Sequence, residues 1–157
     1  MTVYVMGETW QPPEWIYRKT RPPSDDAYFE NMTHVIFQAG LSWKMIEARW
    51  PNFKKAFENF SVDRVARFNE DDVKRLMADS GIIRNQKKIL ATIHNAKQFQ
   101  RIRKEFGSFQ RYLDGLDKSK NYSLVIKELG KIFKRLGPSS ARIFLYSVGE
   151  DVRHPTE

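Results

Sequence analysis

Six consecutive residues, Gln38-Ala39-Gly40-Leu41-Ser42-Trp43, carry the most distinctive chemistry in this chain. They follow an apolar run, Val35-Ile36-Phe37, and precede a helical pattern that starts at Lys44. A small-residue break between two helices places Leu41 and Trp43 on a connector. Connectors usually run over the surface, so large apolar side chains there need a reason. Two readings are open. Both side chains can tuck back into the core, as most of their kind do. Alternatively, Leu41 is a wedge, set beside Gly40, and Trp43 is a wall against a flat aromatic ligand.

A second segment with chemical potential runs from Leu136 to Gly149, Leu136-Gly137-Pro138-Ser139-Ser140-Ala141-Arg142 and onward. One helix enters, a tight Gly-Pro turn follows, and another helix begins with small residues. Backbone N–H groups at such a helix start form a ready site for a phosphate. Gly137 lets the backbone approach it closely, and Ser139 lies in the same first turn. Lys131, Lys134, Arg135 and Arg142 surround the turn and are placed to hold an adjoining nucleic-acid backbone. An ordinary helix–helix turn with basic flanks is the other reading.

Charge favours the first. The net charge is +8 with pI ≈ 9.7, and it is unevenly placed. Residues 1–81 hold 11 Lys/Arg against 12 Asp/Glu, a net of −1, whereas residues 82–157 hold 16 against 7, a net of +9. A basic half of this kind points to a polyanion, nucleic acid above all. The chain has no cysteine, which excludes disulfides and cysteine-ligated metal centres. No apolar run approaches the ~20 residues of a membrane span. The N-terminal Met1-Thr2-Val3-Tyr4-Val5 is not built like a secretory signal. A soluble cytoplasmic protein is the expectation.

The elements that must position these segments are helical. Prolines 12, 13, 22 and 23, with Trp10, Trp15 and Tyr17 between them, forbid a long helix and suggest an arm over residues 1–23. Residues 24–157 read as a single helical domain, with the basic hairpin near 131–149. Ser24 caps a helix over about 25–37. Met45, Ile46 and Trp50 mark a short helix stopped by Pro51, and Phe53 to Phe60 mark the next. Ser61 caps 62–68, Asn69 caps a helix through Met77, and Asn85 opens the longest pattern, to about Phe106. Phe109–Leu113 form a short helix, 114–123 a polar loop, and Leu124–Phe133 and Ser139–Val148 the two arms of the hairpin. No segment alternates with a strand period, so the chain reads as all-α.

With these segments in place, the chain resembles DNA-3-methyladenine glycosylase I, a family of helix-hairpin-helix DNA glycosylases. The resemblance covers roughly residues 24–154. Gln38 to Trp43 is similar to the family's QAGLSW signature. The run from Asp71 through Asp79-Ser80-Gly81-Ile82-Ile83-Arg84-Asn85 to Lys88-Ile89 and Asn95-Ala96 resembles a second block. Gly137-Pro138 through Gly149 to His154 resembles a third. The resemblance implies a two-lobed helical fold with a cleft between the lobes. It implies an enzyme that extrudes an alkylated purine from duplex DNA and hydrolyses its N-glycosidic bond. Gln38 and Trp43 would bind the base, Gly40 and Leu41 would form the wedge, and the hairpin residues would hold the DNA backbone. The expected partner is double-stranded DNA with alkylated bases, bound by a monomer.

The sequence departs from the family in two ways. The family's zinc site uses two Cys and two His, and only His154 matches a ligand position, so neither metal nor other cofactor is expected. The family also keeps a carboxylate on the helix before QAGLSW, and the matching position is Val35. His34 beside it would project elsewhere on the helix, and Glu30 reads as a surface residue. Asp151, just beyond the hairpin, is the candidate carboxylate for stabilising a developing sugar cation. A non-catalytic helix-hairpin-helix DNA-binding protein is the alternative reading that Val35 leaves open.

Overall fold

Eight α-helices, in a computed structural model that describes residues 14–17 and 20–153, make up the body of the chain. They are α1 (Asp25–Gln38), α2 (Trp43–Ala56), α3 (Val62–Ala66), α4 (Glu70–Met77), α5 (Gln86–Phe106), α6 (Phe109–Asp114), α7 (Ser119–Ile132) and α8 (Pro138–Ser147). No strand occurs among the described residues.

Local chemistry explains most of the starts. The side-chain oxygens of Ser24, Ser42, Ser61, Asn69, Asn85 and Ser108 each accept a backbone N–H in the first turn of the helix that follows. Asn69 and Asp72 bond reciprocally, as a full capping box. Gly107 ends α5 at φ +93°, a conformation that favours glycine.

Two expectations change. Pro51 does not stop a helix: α2 runs unbroken from Trp43 to Ala56. Proline removes the N–H that would bond the Glu47 carbonyl, at a cost of about 3 kcal/mol. Aromatic packing on both sides of it offsets that cost. Trp50 stacks on Phe53 and Phe60 at 5.0 and 5.1 Å, and Phe53 meets Phe37 edge-on at 4.8 Å. The second change concerns the polar loop. Lys120, Asn121 and Tyr122 are left-handed (φ 54°, 53° and 65°), so α7 becomes a right-handed helix only from Ser123. Tertiary bonds hold this turn: Arg142 donates to the Asn121 carbonyl at 3.3 Å and the Arg153 N–H to Asn121 Oδ1 at 3.1 Å.

The long helix α5 organises the rest. α3, α4 and α6 pack directly on it, while α2 and α8 pack on α1 and α7 packs on α8. α1 touches α2, α3, α5, α6 and α8, and one continuous apolar core joins the helices. The described part of the arm rests on this junction. Asn31 of α1 donates to the carbonyls of Trp15 (3.0 Å) and Ser147 (3.3 Å), while the Tyr17 N–H donates to the Ser147 carbonyl at 2.7 Å.

Candidate functional site

The connector between α1 and α2 is short, exposed and anchored from below. Gln38 ends α1, Gly40 turns the chain at φ +79°, and Ser42 caps α2. A Cβ at Gly40 would meet no atom, so glycine is needed there for its backbone angle and not for space. Leu41 and Trp43 do not fold back into the core. They remain 40% and 45% exposed, among the few large apolar side chains left at the surface.

The anchor is Lys88. Its buried ammonium donates to the carbonyls of Phe37 (3.1 Å) and Ala39 (3.0 Å), which closes the C-terminus of α1. Such a cation suits the negative end of the helix dipole. Burial, and secondarily the nearby Arg135 guanidinium, push the Lys88 ammonium below its usual range. Arg135 belongs to the hairpin turn, so the charge of that turn is felt at the end of α1.

α5 also holds the hairpin directly. The Asn95 side chain donates to the Lys134 carbonyl (3.2 Å) and accepts the Lys134 N–H (2.9 Å), and His94 Nε2 lies 3.3 Å from the Ile132 carbonyl. Lys131, Lys134, Arg135, Gly137 and Ser139 are all exposed around this turn. Gly137 has an ordinary φ of −69°, and a Cβ there would touch nothing within the chain. Its backbone is therefore open to an outside group. The first N–H groups of α8 have no side-chain cap, which leaves them available. Arg142 differs from its neighbours, because its guanidinium is engaged with Asn121.

Two rows of side chains face one another along α1 and α2. Glu30, His34 and Gln38 recur at four-residue spacing on α1. Trp43, Glu47 and Trp50 recur at four and three on α2. The rows run antiparallel. Trp50 Nε1 donates to Glu30 Oε2 at 2.9 Å, His34 Nε2 lies 3.6 Å from Glu47 Oε1, and the His34 and Trp50 rings are 4.4 Å apart. Gln38 and Trp43 end the two rows at the connector. Trp15 of the arm stacks on the other face of His34 at 4.0 Å and 20°.

Polar atoms in this cleft are left without partners. Both His34 ring nitrogens, Gln38 Oε1 and Trp15 Nε1 are buried and make no hydrogen bond among the described residues. Burial lowers the His34 pKa to about 4, opposed by its own backbone and by the Gln38 side chain. The imidazole is therefore neutral at neutral pH, and its approach to Glu47 is not an ion pair. The Glu47 carboxyl is pushed up, first by burial and then by the nearby Glu14 carboxylate. Trp15, His34 and Trp50 thus form a packed aromatic layer, with the Glu47 carboxyl beside it and Trp43 exposed at the connector end.

The sequence-predicted residues therefore divide. Gln38, Gly40, Leu41 and Trp43 share one edge, and the hairpin cations share a second edge held by the same helix. Val35 is buried in the core at 1% exposure. His34 points away from Val35, as its place on the helix requires, and lies along the Gln38 row. Glu30 is no idle surface residue, since it holds the Trp50 indole and lies 3.9 Å from Lys54. Asp151 is exposed, and its backbone N–H donates to the Tyr122 hydroxyl at 3.1 Å. Its neighbour Glu150 has a side chain only 8% exposed, accepts from Tyr122 at 3.2 Å and lies 3.6 Å from Arg21. Sequence reasoning missed Glu47, Trp50 and Trp15 as site residues. The spacing of Trp43, Glu47 and Trp50 was the one available signal.

His154 and most of the expected arm lie outside the described residues. A site of two Cys and two His cannot be assembled without cysteine. Among the described residues no three metal-ligating side chains gather, and no helix is long and apolar enough to cross a membrane.

Comparisons with known proteins fit this geometry. The family model described as methyladenine glycosylase matches residues 13–143. The chain is 44% identical over 62 residues to DNA-3-methyladenine glycosylase 1 of Escherichia coli (strain K12), covering 40% of this chain and 33% of that protein. It is 29% identical over 85 residues to a DNA-3-methyladenine glycosylase of Haemophilus influenzae (strain ATCC 51907 / DSM 11121 / KW20 / Rd), covering 54% and 46%. The chain thus spans a third to just under half the length of these relatives. The fold matches the 3-methyladenine DNA glycosylase I of Staphylococcus aureus at a TM-score of 0.74 and 24% identity, over 85% of this chain and 80% of that one.

Proposed function

This chain belongs to the methyladenine glycosylase family, and on that footing we propose that it is a monofunctional DNA glycosylase releasing alkylated purines of the 3-methyladenine kind. The observation that carries this reading is the shared anchorage of two DNA-facing edges. The connector with Leu41 and Trp43 and the basic hairpin turn are both held by α5, through Lys88 and Asn95.

The steps follow from the parts. The hairpin grips the backbone through the α8 N–H groups and through Lys131, Lys134 and Arg135. A base inside the stack cannot be reached, so it must leave it at a cost of a few kcal/mol. Leu41, presented by Gly40, fills the vacated place. Gln38 and Trp43 receive the extruded base, one by a hydrogen bond to its edge and the other by its face. Water then adds to the sugar carbon as the N-glycosidic bond breaks. The bond's electron pair passes to the alkylated ring and neutralises its positive charge, and the water gives up a proton. Asp151, exposed at the hairpin exit, is the carboxylate that would offset charge on the sugar. No lysine nucleophile is required. The enzyme works as a monomer on duplex DNA in the cytoplasm.

Incubation with methylated duplex DNA tests the reading. Free 3-methyladenine in the supernatant is expected. Intact duplex binding without any released base would overturn it.

A further inference from the structure

The charge of the cleft runs against the charge of the chain. The protein carries +8 overall, yet the carboxylates at the α1–α2 cleft are Glu30, Glu47 and, from the arm, Glu14. Glu30 is committed to the Trp50 indole and to Lys54. Among the described residues Glu47 has no such partner: the ring it approaches is a neutral histidine, at 3.6 Å. Val35 is in the core and brings no charge.

Glu47 also occupies the central place. It lies one helical turn from Trp43 and one from Trp50 on the same face of α2, opposite His34. The His34 ring is 1% exposed, and among the described residues neither of its nitrogens nor Gln38 Oε1 has a hydrogen-bond partner. These unsatisfied buried atoms are the independent sign of a ligand, because natural cores rarely leave such groups unpaired. Trp43 already tolerates a cation near its face, with Lys44 Nζ 6.0 Å from its centroid. Aromatic faces and an uncommitted carboxylate together favour a ring that is both flat and positively charged.

We propose that Glu47 is the specificity-determining acid of this cleft and selects a cationic flat ring over a neutral one of the same shape. The ring sits at the connector end, against Trp43, with its polar edge toward Gln38 and His34. The identity of that ring as an alkylated purine rests on the glycosylase reading; the preference for positive charge does not. Burial and the Glu14 carboxylate both push the Glu47 carboxyl up, and an arriving cation would oppose that push.

The test compares two probes of equal shape, N-methylquinolinium and 1-methylnaphthalene, by fluorescence titration of the full chain. Wild type should bind the cation at least about tenfold more tightly. Glu47→Gln keeps the shape, removes the charge and should bring that ratio to about one. Glu47→Asp should keep part of it. Glu128→Gln, which removes the same charge from α7, should leave it unchanged. Equal binding of the two probes by wild type would overturn the proposal, as would a preference that survives Glu47→Gln or disappears in Glu128→Gln. The two readings fail separately. Cation preference without base release from methylated DNA would sink the glycosylase reading alone, and base release without cation preference would sink Glu47 alone.

Discussion

Lys88 and Asn95 stand seven residues apart on one face of α5, and each holds one of the two edges proposed to meet DNA. Two turns of helix put them about 10 Å apart along its axis. Lys88 grips the carbonyls at the end of α1, and Asn95 grips the backbone of Lys134 from both sides. A rigid helix thereby fixes the distance from wedge to phosphate grip. Base extrusion depends on that spacing, because a wedge displaced relative to the backbone would press against a stacked base pair.

Lys88→Met should therefore affect stability and function together. It leaves two carbonyls without their charged donor, at a cost of about 1–3 kcal/mol. Denaturant melts should show that loss. Base release should fall further than the stability change explains, since the connector loses its anchor.

Leu41 and Trp43 should behave in the opposite way. Both are substantially exposed, so alanine at either position should change stability by no more than about 0.5 kcal/mol. Trp43→Ala should nonetheless abolish excision from methylated duplex while leaving duplex affinity within about threefold. Leu41→Ala should slow excision by tenfold or so under limiting enzyme. Full activity in Trp43→Ala would remove it from the base site.

The hairpin cations should divide by their commitments. Lys131→Ala, Lys134→Ala and Arg135→Ala should each weaken binding to any duplex sequence and reduce the log–log salt slope by about one. Arg142→Ala should change the slope less, because its guanidinium is bound to the Asn121 carbonyl. Its larger effect should be on the left-handed turn at 120–122, seen as a lower melting temperature.

His34 makes stability depend on pH. Its folded pKa, about 4, lies below the ordinary value of 6.5. Between those values the unfolded chain binds a proton that the native protein does not, so stability rises with pH across that window. His34→Phe should flatten this part of the profile by about 3 kcal/mol between pH 6.5 and 4. The measured quantity is the difference between wild-type and variant stability against pH, which cancels the common carboxylates. A difference that stays constant across the window would show that the imidazole titrates alike in the folded and unfolded chain.

Asp151→Asn tests the remaining carboxylate assignment. Single-turnover excision should slow by about ten- to a hundredfold with duplex affinity unchanged. An unaltered rate would take Asp151 out of the reaction and leave Glu47 as the acid nearest the base.

The sequence by itself determined the helices, the connector and the hairpin, because each depends on neighbouring residues. Ser24, Ser61, Asn69, Asn85 and Ser108 cap their helices through bonds to N–H groups two or three residues ahead, and Gly40 and Gly107 turn the chain by their own backbone freedom. Only the tertiary structure decided what those helices bring together. Pro51 looks like a stop until Phe37, Phe53 and Phe60 are seen to brace the helix around it. Val35 and His34 are adjacent, yet one enters the core and the other the cleft, a choice made by how α1 packs on α2 and by the Trp15 ring laid over it. Glu47 gained its place only from the antiparallel register that sets it against His34. Spacing along one helix shows which residues share a face, but packing against the other helices decides what that face meets.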